Sequence, residues 1–143
     1  MNRESTRYKS SQQEKRIAKR MSGKQVIGSG STPFLKGDVI VGKLFIEAKT
    51  RAQPSKSISL KKEWLEKAKE QSYSTHKEDY AVAVSFGDGK DYYVIEDTLM
   101  EDLYRSREAL RAVIDNLGGL DHNPLGLESA EIYRIKDIIK EAM

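Results

Sequence analysis

The chain has 143 residues, which is ample for one domain with a real core, and its lack of cysteine excludes disulfides, thiolate zinc sites and cysteine nucleophiles. Only His76 and His122 are available as imidazole ligands, without zinc-site spacing; no run of about 18 apolar residues occurs, and the basic N-terminus lacks a signal-like apolar stretch. A soluble, cytoplasmic protein is expected, and its net charge of +3 conceals a basic first half and an acidic second half.

Residues 1–9 are polar and basic and read as a mobile arm. One domain follows, with a core over 10–96 and a helical extension over 97–143. Ser10 or Ser11 can cap a helix to about Met21, stopped by Gly23, with Glu14, Ile17, Ala18 and Met21 to one side. Gln25-Val26-Ile27 reads as a short strand, and Gly28-Ser29-Gly30-Ser31-Thr32-Pro33 as a loop. Strands are expected at about 37–41 and 43–50, folded into a hairpin at Gly42-Lys43. Beyond Pro54, Ser59 is an expected N-cap for a helix to about Ser72. Leu60, Trp64, Leu65 and Ala68 form its apolar face, and Lys61, Lys62, Lys67 and Lys69 a basic one.

The apolar run Tyr80–Phe86 predicts a buried strand. Gly87-Asp88-Gly89-Lys90 lacks full P-loop spacing and reads as a tight turn into a strand over Asp91–Glu96. Asp97 or Thr98 caps a helix to about Asn116, with Leu99, Leu103, Leu110, Val113 and Ile114 as its expected buried stripe. Gly118-Gly119 ends it. A final helix is expected from about Ser129 to Ala142, with Ile132, Ile135, Ile138 and Ile139 on one side. The order αβββαββαα predicts an α/β fold: a central mixed β-sheet flanked by helices, with two additional C-terminal helices.

Chemistry concentrates between Gly37 and Lys49. Strand periodicity sends Glu47 and Lys49 to one face and Ile46 and Ala48 to the other. A hairpin at Gly42-Lys43 returns Asp38 to the neighbourhood of Glu47. Two carboxylates suit a hard divalent cation, Mg²⁺ with Mn²⁺ as its substitute, and the Ala48 carbonyl can add an oxygen. Lys49 can then orient a water and stabilise charge developing on phosphate. The simpler reading is an ion pair of Lys49 with Asp38 or Glu47 on an exposed strand edge. Glu14, the only acid of the first helix, is either a third carboxylate at this centre or a solvated ion-pair partner of Lys19.

The charge distribution favours a polyanionic substrate. Residues 1–35 carry eight Lys/Arg against two Asp/Glu, residues 36–77 ten against five, and residues 78–143 seven against fifteen. Thr50 and Arg51 follow the lysine directly and are candidate phosphate contacts. Lys61 and Lys62 either line a duplex channel or form a solvated helix face.

Glu14, the Gly28–Ser31 loop, Asp38 and Glu47-Ala48-Lys49, in this order, resemble the PD-(D/E)XK nuclease superfamily, and more closely the archaeal and phage-type Holliday junction resolvases. The likeness spans about residues 10–86, with Gly37 where the motif's name expects proline. It implies a restriction-endonuclease-like core with Glu14, Asp38 and Glu47 as metal-site acids and Lys49 as the catalytic lysine. It further implies Ser29, Gly30 and Ser31 as substrate contacts, four-way or branched DNA as substrate, and a homodimer in a prokaryotic or phage-infected cell. The alternatives are another nuclease on the same scaffold (restriction-like, repair or single-strand) and a non-catalytic basic DNA-binding protein.

Overall fold

The computed structural model describes residues 6–26, 38–118 and 129–142. Its elements are α1 (Thr6–Arg20), β1 (Lys24–Val26), β2 (Asp38–Val41), β3 (Leu44–Thr50), α2 (Lys62–Ser74), β4 (Asp79–Ser85), β5 (Tyr92–Val94), α3 (Asp97–Gly118) and α4 (Ser129–Ala142). Residues 1–96 form one compact unit and residues 97–143 another.

The first unit is a five-stranded mixed sheet in the order β1-β2-β3-β4-β5. Gly42, at a φ of 54°, lets β2 turn straight back into β3, because the turn needs a left-handed residue that glycine adopts without strain. β3 and β4 are parallel, and α2 lies in the connection between them, as a parallel pair requires. The Gly87–Lys90 turn then brings β5 antiparallel to β4.

Alternation along the strands builds a core on each side of the sheet. Val39, Ile46, Ala48, Ala81 and Ala83 pack with Ile17 of α1. Phe45, Val82 and Val84 pack with Ala68 of α2, with Ile40, Trp64 and Leu65 partly buried around them. Small alanines on the α1 side let that helix approach the strands closely, while the α2 side carries the larger side chains.

Three elements differ from expectation. α1 begins at Thr6, so Thr6–Lys9 of the expected arm are helical; the helix buries Gln13 and Glu14 with Ile17. α2 begins at Lys62 after Lys61, which makes no side-chain cap, so Ser59 is not its N-cap. In the second unit, Leu103 and Val113 of α3 are exposed, whereas Leu99, Leu110 and Ile114 are half-buried. No helix among the described residues is long and apolar enough to cross a membrane.

Candidate active site

The hairpin register sets Asp38 opposite Glu47. Both carboxyl groups are buried, Asp38 at 0% exposure and Glu47 at 2%. By strand alternation they share the α2 side with Ile40 and Phe45, and Lys49 follows on the same side. Lys49 Nζ lies 2.5 Å from Glu47 Oε1 and 5.5 Å from the centre of the Trp64 ring. Trp64 is thus half-buried against the α2-side core and holds the catalytic candidate's ammonium at its face.

A second ammonium reaches the same oxygen. Lys67 Nζ, from α2, is 3.2 Å from Glu47 Oε1. This residue is a site member that sequence reasoning assigned only to a basic helix face. Its signal was its place one residue before Ala68, which is fully buried against the sheet.

The remaining carboxyl oxygens have no donor. Among the described residues, no hydrogen bond reaches Asp38 Oδ1, Asp38 Oδ2 or Glu47 Oε2, although all three are buried. Burial and the neighbouring Glu47 push the Asp38 carboxyl well above its ordinary value. The neighbouring Asp38 carboxyl and the Lys49 ammonium together outweigh burial and hold Glu47 below its own. In the metal-free protein the pair therefore retains a proton, carried on the Asp38 side. Three buried carboxyl oxygens without a donor among the described residues are what a hard cation completes in place of the retained proton, so these residues fit Mg²⁺ or Mn²⁺.

Glu14 stands apart from this pair. It is buried on α1, and Gln25 Nε2 donates to its Oε2 at 2.5 Å. Gln25 pairs with Val39, so this contact lies on the α1 side of the sheet. Burial raises the Glu14 carboxyl, Gln25 offsets part of that, and the charge of Glu47 raises it further. Glu14 therefore feels the site electrostatically. Among the described residues, no three Asp, Glu, His or Cys side chains converge tightly enough to hold a metal.

The other candidates divide. Ala48 lies between Glu47 and Lys49 with its side chain in the α1-side core, which leaves its backbone as its only possible contribution to the site. Thr50 ends β3, and its hydroxyl donates to the Arg51 carbonyl. Arg51 is exposed, and its backbone N–H bonds the Ser85 carbonyl. Lys61 and Lys62 form exposed ion pairs with Glu63 and Glu66. Ser29, Gly30 and Ser31 lie outside the described residues.

Behind the site, Gln13 Nε2 donates to the carbonyls of Lys49 and Ala83 and to Asp91 Oδ1. Arg16 clamps Asp91 with two bonds of 2.7 Å. This polar network, absent from the sequence reading, fastens α1 to the ends of β3 and β4. No protein-family model, curated protein or solved structure matches the chain. The chemistry must be read from the site itself.

Proposed function

We propose that the protein is a metal-dependent endonuclease hydrolysing DNA phosphodiester bonds, most specifically a resolvase of four-way junctions acting as a homodimer. The observation that carries this reading is the buried Asp38–Glu47 pair, flanked by two lysines, with three oxygens that have no donor among the described residues. An exposed structural ion pair would not require such burial, nor leave Asp38 without a donor.

Asp38, Glu47 and the Ala48 carbonyl would hold the cation, which supplies Lewis-acid polarisation of the phosphate and of water. Lys49 would hold the attacking water by hydrogen bond and, with Lys67, offset charge growing on the phosphate oxygens. Trp64 limits the freedom of the Lys49 side chain, so little ordering is left for the reaction step. Glu14 would strengthen the negative field from the α1 side. The junction, the superfamily and the two-fold assembly rest on the motif resemblance, and two symmetric cuts call for two copies of the site.

Cleavage of a synthetic four-way junction in Mg²⁺ tests the reading. Asp38→Asn, Glu47→Gln and Lys49→Ala should each lose about 10²-fold or more in rate, and Glu14→Gln markedly less. Full activity in the first three variants would sink the site. Cutting of linear duplex alone would retain the nuclease and remove the resolvase.

A further inference from the structure

A second polar recess lies on the opposite side of the sheet from the carboxylate pair. β3 and β4 end side by side at Thr50 and Ser85. By alternation both side chains face the α1 side, following Ala48 and Ala83. There, Lys9 and Arg16 of α1, Thr50, Ser85 and the two turn glycines Gly87 and Gly89 line a cavity of about 80 Å³.

The cavity is built rather than incidental. Arg16 spends Nε and Nη2 on Asp91, whose side chain is almost wholly buried, and Nη1 takes no part in that clamp. The rim is tied by Arg51 N–H to the Ser85 carbonyl and by Ser55 N–H to the Phe86 carbonyl. Gly87 adopts a φ of 84°, and a Cβ there would meet the Gln53 carbonyl oxygen at 2.7 Å, so the turn sits directly on that loop. Ser85 is 1% exposed, and its hydroxyl has no hydrogen-bond partner among the described residues. A buried hydroxyl without an acceptor is costly, and Ser85 borders a recess flanked by an ammonium and a guanidinium.

We propose that this recess is a phosphate-oxyanion subsite, with Ser85, Arg16 and Lys9 as donors and Thr50 on its wall. An anion supplies the acceptor that Ser85 lacks and the negative charge that the two cations attract. The subsite stands on its own geometry; that its phosphate belongs to a nucleic-acid strand rests on the function proposed above. Thr50 directly follows Lys49, so a strand crossing the ends of β3 and β4 could place a phosphate remote from the cut one in this recess.

The test follows backbone amides of the full chain by NMR while inorganic phosphate is titrated against sodium chloride at matched ionic strength. Saturable shifts at Thr50, Ser85, Gly87 and Gly89, weakened at least about threefold in both Ser85→Ala and Lys9→Gln, are expected. Shifts that match chloride, or that persist unchanged in Ser85→Ala, overturn the subsite. A second arm measures duplex binding in the Asp38→Asn background, where Ser85→Ala should weaken affinity by about three- to tenfold. Phosphate binding with unchanged duplex affinity would overturn the nucleic-acid source and leave a site for a small free phosphate. Weakened duplex binding, alongside full cleavage by Asp38→Asn and Glu47→Gln, would overturn the catalytic site and uphold the subsite.

Discussion

Asp38 is where burial and charge conflict most directly. Its carboxyl is fully buried, lacks any donor among the described residues, and faces Glu47 across the hairpin. Its folded value lies above its unfolded one, so between the two the native state holds the extra proton. Stability from this group is therefore fully present below about pH 4 and falls as pH rises, through neutrality and on toward about 9. Glu47 has the opposite sign: its lowered value contributes stability above its ordinary range, lost only in acid. The metal-free protein should accordingly lose urea stability between pH 6 and 8.5, and Mg²⁺ should reduce the loss. Asp38→Asn should be more stable than wild type at pH 8, by about 1–3 kcal/mol, because a neutral amide removes the cost of holding the Asp38 carboxyl protonated far above its unfolded value. A destabilised Asp38→Asn would mean that Asp38 serves the fold and not a cation. Lys67 gives a second residue-scale prediction. Lys67→Ala should lower the cleavage rate by about ten- to a hundredfold, the worth of a charge-assisted hydrogen bond, while leaving Lys49 against Glu47. An unaltered rate constant would assign Lys67 to the solvated face of α2.

At the scale of elements, the turn joining α1 to β1 controls how the first helix meets the sheet. Ser22 is left-handed at a φ of 53°, and Gly23 N–H bonds the Ala18 carbonyl at 2.8 Å. A Cβ on Gly23 would lie 2.6 Å from Val41 Cγ2 and 2.7 Å from the Ile40 carbonyl oxygen. Backbone cannot yield as a side chain can, so Gly23→Ala should cost about 1–3 kcal/mol in urea unfolding. A neutral result would show that the helix can lift from β2 without penalty. Gly23 was legible as a helix stop, but its packing role needed the strand that lies against it. The same division holds elsewhere. The β2–β3 hairpin was readable because Gly42 supplies the turn and period-two alternation fixes which side chains pair. That is how Asp38, Glu47 and Lys49 were found together. Lys67, Gln13 and the Arg16–Asp91 clamp were not readable. Their partners lie 20 to 78 residues away, and local pattern carries no such information. Glu14 shows the limit from the other side. Its place on the apolar face of the first helix was readable, yet its partner is Gln25, which no helical spacing could name.

Across the whole molecule, charge separates along the chain: residues 1–77 hold eighteen Lys/Arg, and residues 78–143 fifteen Asp/Glu. Net charge is too small to attract a polyanion by itself, so binding must come from where the cations are placed. Lys9, Arg16, Lys49 and Lys67 all belong to the first unit and lie at the recess or the carboxylate pair. Each phosphate that a lysine or arginine neutralises releases condensed counterion, and the logarithm of affinity falls by about 0.9 per contact for each tenfold rise in salt. With four such residues engaged, duplex binding by Asp38→Asn in the absence of cleavage should show a log–log salt slope of about −3 to −4. Lys9→Gln should make that slope shallower by about 1. Substituting Lys140, in the acidic unit, should leave it unchanged. A slope near zero would mean that the basic half does not dock phosphate. A slope shifted equally by Lys9→Gln and Lys140→Gln would mean that only net charge matters and that the placement of cations around β3 and β4 does not.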